Sequence, residues 1–85
     1  LQLPNVEINT LMIAEGSSLV GKSLAEAELR RNYGVTVLAI RRDSEVLSNP
    51  SVNMPLCAND VLFVLGPPGR VARVAGLSRN QEKGT

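Results

Sequence analysis

The stretch Leu29–Arg42, "LRRNYGVTVLAIRR", decides how this chain folds. Its middle, "VTVLAI", is too rich in β-branched residues and too short for a helix, and it is apolar on both faces apart from Thr36. It reads as the central strand of a sheet. Gly34 stands in front of it, where a glycine suits the left-handed position that closes a helix. Working backward, Ser23 followed by Glu26 matches the S-x-x-E capping box, in which hydroxyl and carboxylate each satisfy an unpaired amide at a helix start. The spacing predicts a helix over about Leu24–Asn32. Ala25, Leu29 and Tyr33 follow its i, i+4 line, and Leu24 and Ala27 line up near Val20, which gives a broad apolar face. Glu26 falls early and Arg30 and Arg31 late, as the helix macrodipole prefers.

Working outward, "RRDSE" predicts a tight reversal and "EVL" a short returning strand, so Arg41 and Arg42 fall at the strand end nearest the turn. Upstream, Val6–Ala14 alternates as a first strand, with Val6, Ile8 and Met12 on one side and Leu11 and Ile13 on the other. "EGSSLVGKS" reads as the loop leading to the helix, and "SNPSVNMPL", with two prolines, as a surface loop. A turn at Asn59-Asp60 opens a fourth strand that runs to Gly66, since Asn tolerates the left-handed conformation. After Pro67-Pro68-Gly69 a second short helix is predicted from Arg70 to Ala75, with Val71, Val74 and Ala75 inward and Gly76 as its stop. The order β-α-β-β-β-α makes an α+β fold, a small sheet of about four strands with two helices packed on it.

At 85 residues there is room for one domain, and a chain of that size buries only about 60% of its unfolded surface. One Tyr, one Phe and no Trp leave an almost purely aliphatic core, which disfavours base stacking on single-stranded nucleic acid. A net charge of +1 lacks the basic footprint of a nucleic-acid binder. No apolar run approaches the roughly 18 residues of a membrane span, so this segment is not expected to insert in a bilayer. The abrupt start at "LQLPNVEI" and the polar end "SRNQEKGT" read as an excised domain with a frayed tail.

Candidate chemistry is sparse. Histidine is absent, which removes the commonest general base and transition-metal ligand. Cys57, the only cysteine, has no companion for a zinc site or a disulfide and reads as a packed, inert thiol. Asp43, Glu45 and Asp60 read as solvated turn residues, since their spacing matches no calcium loop. No G-x-G-x-x-G or P-loop pattern occurs among the glycines. No metal, cofactor or catalytic residue is therefore expected, and no nucleophile–base pair can be assembled. The arginines leave two readings: charged caps on buried elements, or a fork of donors for an anion. Of the four, Arg30 at the helix-to-strand corner is the better candidate for anion recognition.

Taken together, "GKSL" at a helix entry, "LRRNYG", an apolar strand ending in arginine, a loop proline and "NDVLFVLG" resemble the TrkA-C (RCK_C) family. This is the small C-terminal regulatory domain of bacterial potassium channels, potassium uptake systems and cation/proton antiporters. The resemblance runs from about Leu11 to Ala75 and divides the chain into a linker with the start of the first strand (1–10), a TrkA-C-like domain (11–76) and a polar tail (77–85). It implies a non-enzymatic cytoplasmic domain that forms a homodimer, belongs to a membrane transporter or channel, and senses a small anionic ligand such as a nucleotide. In the family members that bind cyclic di-AMP, the arginine of "LR-x-x-YG" and an asparagine six residues later contact the phosphates. Here those positions are Arg30 and Thr36, and a hydroxyl does not reproduce both contacts of an amide. The expected ligand-binding residues are Arg30 and Thr36, with Ile40 and the Asn49, Pro50 and Val52 loop as walls. The alternative is a purely structural dimerisation module without a ligand.

Overall fold

The computed structural model describes residues 5–80. Along the chain run β1 (Glu7–Met12), α1 (Leu24–Ala27), α2 (Leu29–Tyr33), β2 (Thr36–Arg42), β3 (Glu45–Ser48), β4 (Val61–Gly66) and α3 (Pro68–Ser78). The strands form one antiparallel sheet in the order β1-β4-β2-β3, so the apolar runs of β2 and β4 take its two inner places. Pleating sends alternate residues of β4 to opposite faces, and Leu62, Val64 and Gly66 are buried while their neighbours are half-buried. Ile13, Ile40, Leu62 and Val64 meet Leu29, Val35, Val71 and Val74 in the core between sheet and helices. Ile8, Met12 and Val46 stay exposed.

Local chemistry sets the helix entry. The Ser23 hydroxyl accepts from the Glu26 N–H at 3.2 Å, and the Glu26 carboxylate accepts from the Ser23 N–H at 3.0 Å. The backbone N–H of Ser23, then its hydroxyl, hold the Glu26 carboxyl below its ordinary pKa. The single helix predicted over Leu24–Asn32 is instead two short turns, because Glu28 sits in the left-handed region at φ 49°. This break redirects α2 so that Leu29 enters the core at 3% exposure and the Tyr33 ring lies 5.5 Å from the Arg73 guanidinium of α3. Gly34 closes α2 at φ 68°, as its sequence position predicts.

The second helix is longer than predicted. It starts at Pro68, whose fixed φ suits a first turn, and it runs through Gly76 to Ser78. Tertiary hydrogen bonds hold this last turn: the Ala14 N–H donates to the Ser78 carbonyl at 2.8 Å, and the Ser17 hydroxyl to the Leu77 carbonyl at 2.6 Å. They outweigh the cost of about 1 kcal/mol for glycine inside a helix. Leu77 and Ser78, assigned to the tail in the sequence reading, are thus helical. Residues 81–85 of that tail and 1–4 of the linker lie outside the described residues.

Candidate functional site

Three segments converge beside α2. The loop of residues 49–60 leaves β3 and runs back along residues 21–25. There the Ala25 N–H donates to the Val52 carbonyl at 2.9 Å, the Leu56 N–H to the Lys22 carbonyl at 2.8 Å, and the Gly21 N–H to the Leu56 carbonyl at 2.8 Å. Ser23 and Pro55 add an isolated antiparallel bridge. This zipper carries Val52 over the helix entry, while Gly34 turns the chain from α2 into β2. Between them lies a groove of about 330 Å³. Its floor and walls are Leu24, Ala25, Leu29, Val35, Val37 and Val52, and Arg30 and Thr36 are its polar side chains. Both polar residues are exposed at the rim. Leu29 and Val35, at 3% and 1% exposure, belong to the core, so the groove ends on the hydrophobic interior.

The electrostatics of the two arginine pairs differ sharply. The Arg30 guanidinium has no carboxylate or hydrogen-bond partner among the described residues. Arg31 lies 3.9 Å from Glu28 on the surface, a geometry that contributes about 0.5 kcal/mol or less. Arg42 is clamped: its Nε and Nη2 donate to the Asp60 carboxylate at 2.9 and 2.7 Å, and Nη2 also donates to the Pro55 carbonyl at 3.0 Å. The Cys57 N–H donates to the same carboxylate at 2.9 Å. Burial pushes the Asp60 carboxyl upward, but the Arg42 hydrogen bonds, the Cys57 N–H and the Arg42 charge prevail and hold it below its ordinary value. The bond to Asp60 in turn raises Arg42. This clip ties the ends of β2 and β4 to the loop that carries Val52.

Of the expected site residues, the fold brings Arg30, Thr36 and Val52 to one groove. Asn49, exposed at φ 48°, and Pro50 do not line it. Ile40 cannot be a wall, because it is 0% exposed and faces Leu62 in the core. A β-bulge at Leu38, between Val37 and Ala39, is the cause. One extra residue reverses the alternation, so Val37 rather than Thr36 shares a face with Ile40. Cys57 is exposed rather than packed; its backbone amide donates to Asp60, and its thiol makes only a long contact of 3.9 Å to the Pro55 carbonyl. Asp60 is 1% exposed rather than a solvated turn residue. The sequence reading missed Leu24, Ala25, Leu29, Val35 and Val37 as lining. For Ala25 and Leu29 the signal lay in the apolar i, i+4 line, which Arg30 borders; Leu24, Val35 and Val37 carried none.

Among the described residues, no group of three or more His, Cys, Asp or Glu side chains could hold a metal ion. No helix there is long and apolar enough to cross a membrane.

Comparison with known proteins places this arrangement. The profile of the TrkA-C domain matches residues 10–78. The probable potassium channel protein 2 of Methanocaldococcus jannaschii is 30% identical over 79 residues, covering 93% of this chain and 23% of that protein. The K(+)/H(+) antiporter subunit KhtT of Bacillus subtilis is 35% identical over 60 residues, covering 69% of this chain and 36% of that protein. The chain thus spans 23% and 36% of these two relatives, and as little as 11% of others that it matches. The solved RCK C domain of the potassium transport protein KtrA, in complex with cyclic diadenosine monophosphate, superposes with a TM-score of 0.78 at 27% identity. That match covers 84% of this chain and 81% of the other. With four antiparallel strands, flanking helices and a profile match over nearly its whole length, the chain belongs to the TrkA-C domain family.

Proposed function

We propose that this chain is a non-enzymatic, cytoplasmic regulatory domain of a cation transport protein, which pairs with a second copy of itself and holds a small anionic ligand in the groove at Arg30 and Thr36. The observation that carries this reading is the Arg30 guanidinium at the rim of an apolar groove, unengaged by any carboxylate among the described residues. Relatives named as a potassium channel and a K(+)/H(+) antiporter subunit support the transport assignment. The KtrA domain, solved with a cyclic dinucleotide, supports a ligand at this fold. A ligand held where two copies meet favours one of their relative orientations, and it shifts the attached transporter only as far as it binds the two states differently. Thr36 stands where the resemblance to the cyclic di-AMP-binding members implies a phosphate-contacting asparagine, which favours a second reading, a dimerisation module without a ligand.

A thermal-shift screen of the 85-residue chain with cyclic di-AMP, AMP, ATP, NAD(H), glutathione and alkyl carboxylates separates the two. Stabilisation by one compound that vanishes in Arg30→Ala supports sensing. No Arg30-dependent shift with any of them refutes it and favours the scaffold.

A further inference from the structure

We propose that the sheet face opposite the helices docks one amphipathic helix, with a carboxylate at one end of its apolar stripe, supplied by another segment of the transport protein that contains this domain. The inference rests on the proposed place of the chain in such a protein and is independent of the groove at Arg30.

The helices pack against Leu62 and Val64 on one side of β4, so alternation turns Val61, Phe63 and Leu65 to the other side. The strand registers set three rows across that outer face. Met12, Val61, Arg41 and Val46 lie side by side at one end, Thr10, Phe63, Ala39 and Ser48 in the middle, and Ile8, Leu65 and Thr36 at the other. Ile8, Met12 and Val46 are each more than half exposed, and the three β4 residues are half-buried. Contiguous apolar surface of this kind marks an interaction site.

The rows also define the shape of the partner. Apolar side chains run along β4, and the hydroxyls of Thr10, Thr36 and Ser48 border them on the neighbouring strands. With strands about 4.8 Å apart, the stripe over β4 and its two neighbours is about 10 Å wide, the diameter of a single helix. Six residues of β4 at about 3.4 Å each give about 20 Å, the length of about 13 helical residues. A second sheet needs a wider apolar face than this.

Arg41 defines its charge. It is exposed, it has no ion pair or hydrogen bond among the described residues, and its row neighbours are Met12, Val61 and Val46. Whatever covers those three also takes the guanidinium out of water, which is costly unless an acceptor arrives with the partner. No acidic side chain of this chain stands in the three rows, since Glu7 and Glu45 pair with Gly66 and Arg42 on the opposite face. A second copy laid on the face would bring up either its own Arg41 or the Leu65 end, and neither carries a carboxylate. A foreign helix with an acid beside its apolar stripe fits. Related proteins have ample further chain to supply one, the matched part being 23% of one and 11% of another.

The test places single cysteines on the face, Met12→Cys and Val46→Cys, with Cys57→Ser removing the exposed native thiol. Each is made in the 85-residue chain and in the full-length transport protein with its other cysteines replaced. Maleimide labelling is expected to be fast in the short chain at every protein concentration. In the full-length protein it is expected to be at least about tenfold slower, because a docked segment opens only transiently. Arg41→Glu, an exposed change, is expected to leave urea denaturation of the short chain unaltered and to speed labelling of the full-length protein at least about tenfold, whereas Arg41→Lys keeps the protection. Equal labelling in the two proteins overturns the proposal. Labelling of the short chain that slows as its concentration rises also overturns it, because a second copy then occupies the face. Protection that survives Arg41→Glu removes the acidic partner and the proposal with it. None of these outcomes touches the groove, whose reading stands or falls on the Arg30-dependent thermal shift.

Discussion

Replacing Arg42 by methionine keeps most of the stem volume and removes the guanidinium. Asp60 is 1% exposed and accepts three hydrogen bonds, two of them from Arg42. Without Arg42 the carboxylate keeps the Cys57 N–H alone. Breaking a buried pair from one side costs about 3–5 kcal/mol, because a charge remains without compensation. Domains of this kind have about 5–15 kcal/mol in total, so Arg42→Met should be marginally folded at neutral pH. Urea denaturation followed by far-UV circular dichroism measures the loss in a chain without tryptophan. The pH dependence is the sharper test. In the parent chain the Asp60 carboxyl lies below its ordinary value of 3.8, so its stabilisation is present above that value and is lost as pH falls through the folded pKa. In Arg42→Met burial prevails and raises the carboxyl instead. Stability should then be greatest below the unfolded pKa and fall as pH rises through the folded one, a reversal of slope. Asp60→Asn added to Arg42→Met should recover part of the loss at pH 7. A cost below about 1 kcal/mol for Arg42→Met, or an unchanged slope, would refute the clip as a structural element.

Three further outcomes are expected. Ser23→Ala removes the capping hydroxyl from a residue that is 4% exposed and should cost about 1 kcal/mol in urea denaturation. Gly66→Ala places a Cβ 2.8 Å from Val35 Cγ1 and 3.4 Å from its Cα. The overpacking should cost about 1–3 kcal/mol, and because Val35 floors the groove it should also lower the affinity of any groove ligand. Cys57 is exposed and should be titrated fully by a thiol reagent in the native state, while Cys57→Ser changes stability by less than about 0.5 kcal/mol. Protection of the thiol would contradict its placement.

The parts of the fold that were legible in the sequence are those set by chemistry within a few residues. Ser23 and Glu26 announce a helix start, Gly34 and Asn59 take the left-handed conformations their side chains permit, and the β-branched runs become β2 and β4. The misread features depend on what arrives from elsewhere in the chain. Glu28 has no local reason to adopt φ 49°; it does so because Leu29 and Tyr33 must face the core and α3. Gly76 fails as a stop because Ala14 and Ser17 hold the turn beyond it. The bulge at Leu38 has no marker residue, yet it decides that Thr36 can reach the groove while Ile40 is core. Within the site, the charged and hydroxyl groups were legible and most of the aliphatic lining was not, since Leu, Val and Ala look alike whether they face a core or a groove.

The two arginine pairs show why residue type alone does not assign a role. Consecutive strand residues point to opposite faces, so Arg41 is exposed while Arg42 reaches Asp60, brought alongside by the pairing of Arg41 with Val61. On α2, Arg31 faces solvent and Arg30 borders the groove. A structural arginine is marked by a buried acceptor, and Arg42 has one; Arg30 has none among the described residues. Arg30→Ala should therefore change stability by no more than about 0.5 kcal/mol, which leaves its effect on ligand affinity readable without correction for unfolding. A loss above about 1 kcal/mol on denaturation would place Arg30 among the structural arginines. The chain would then keep its TrkA-C fold, but the guanidinium at the groove rim would no longer argue for a ligand.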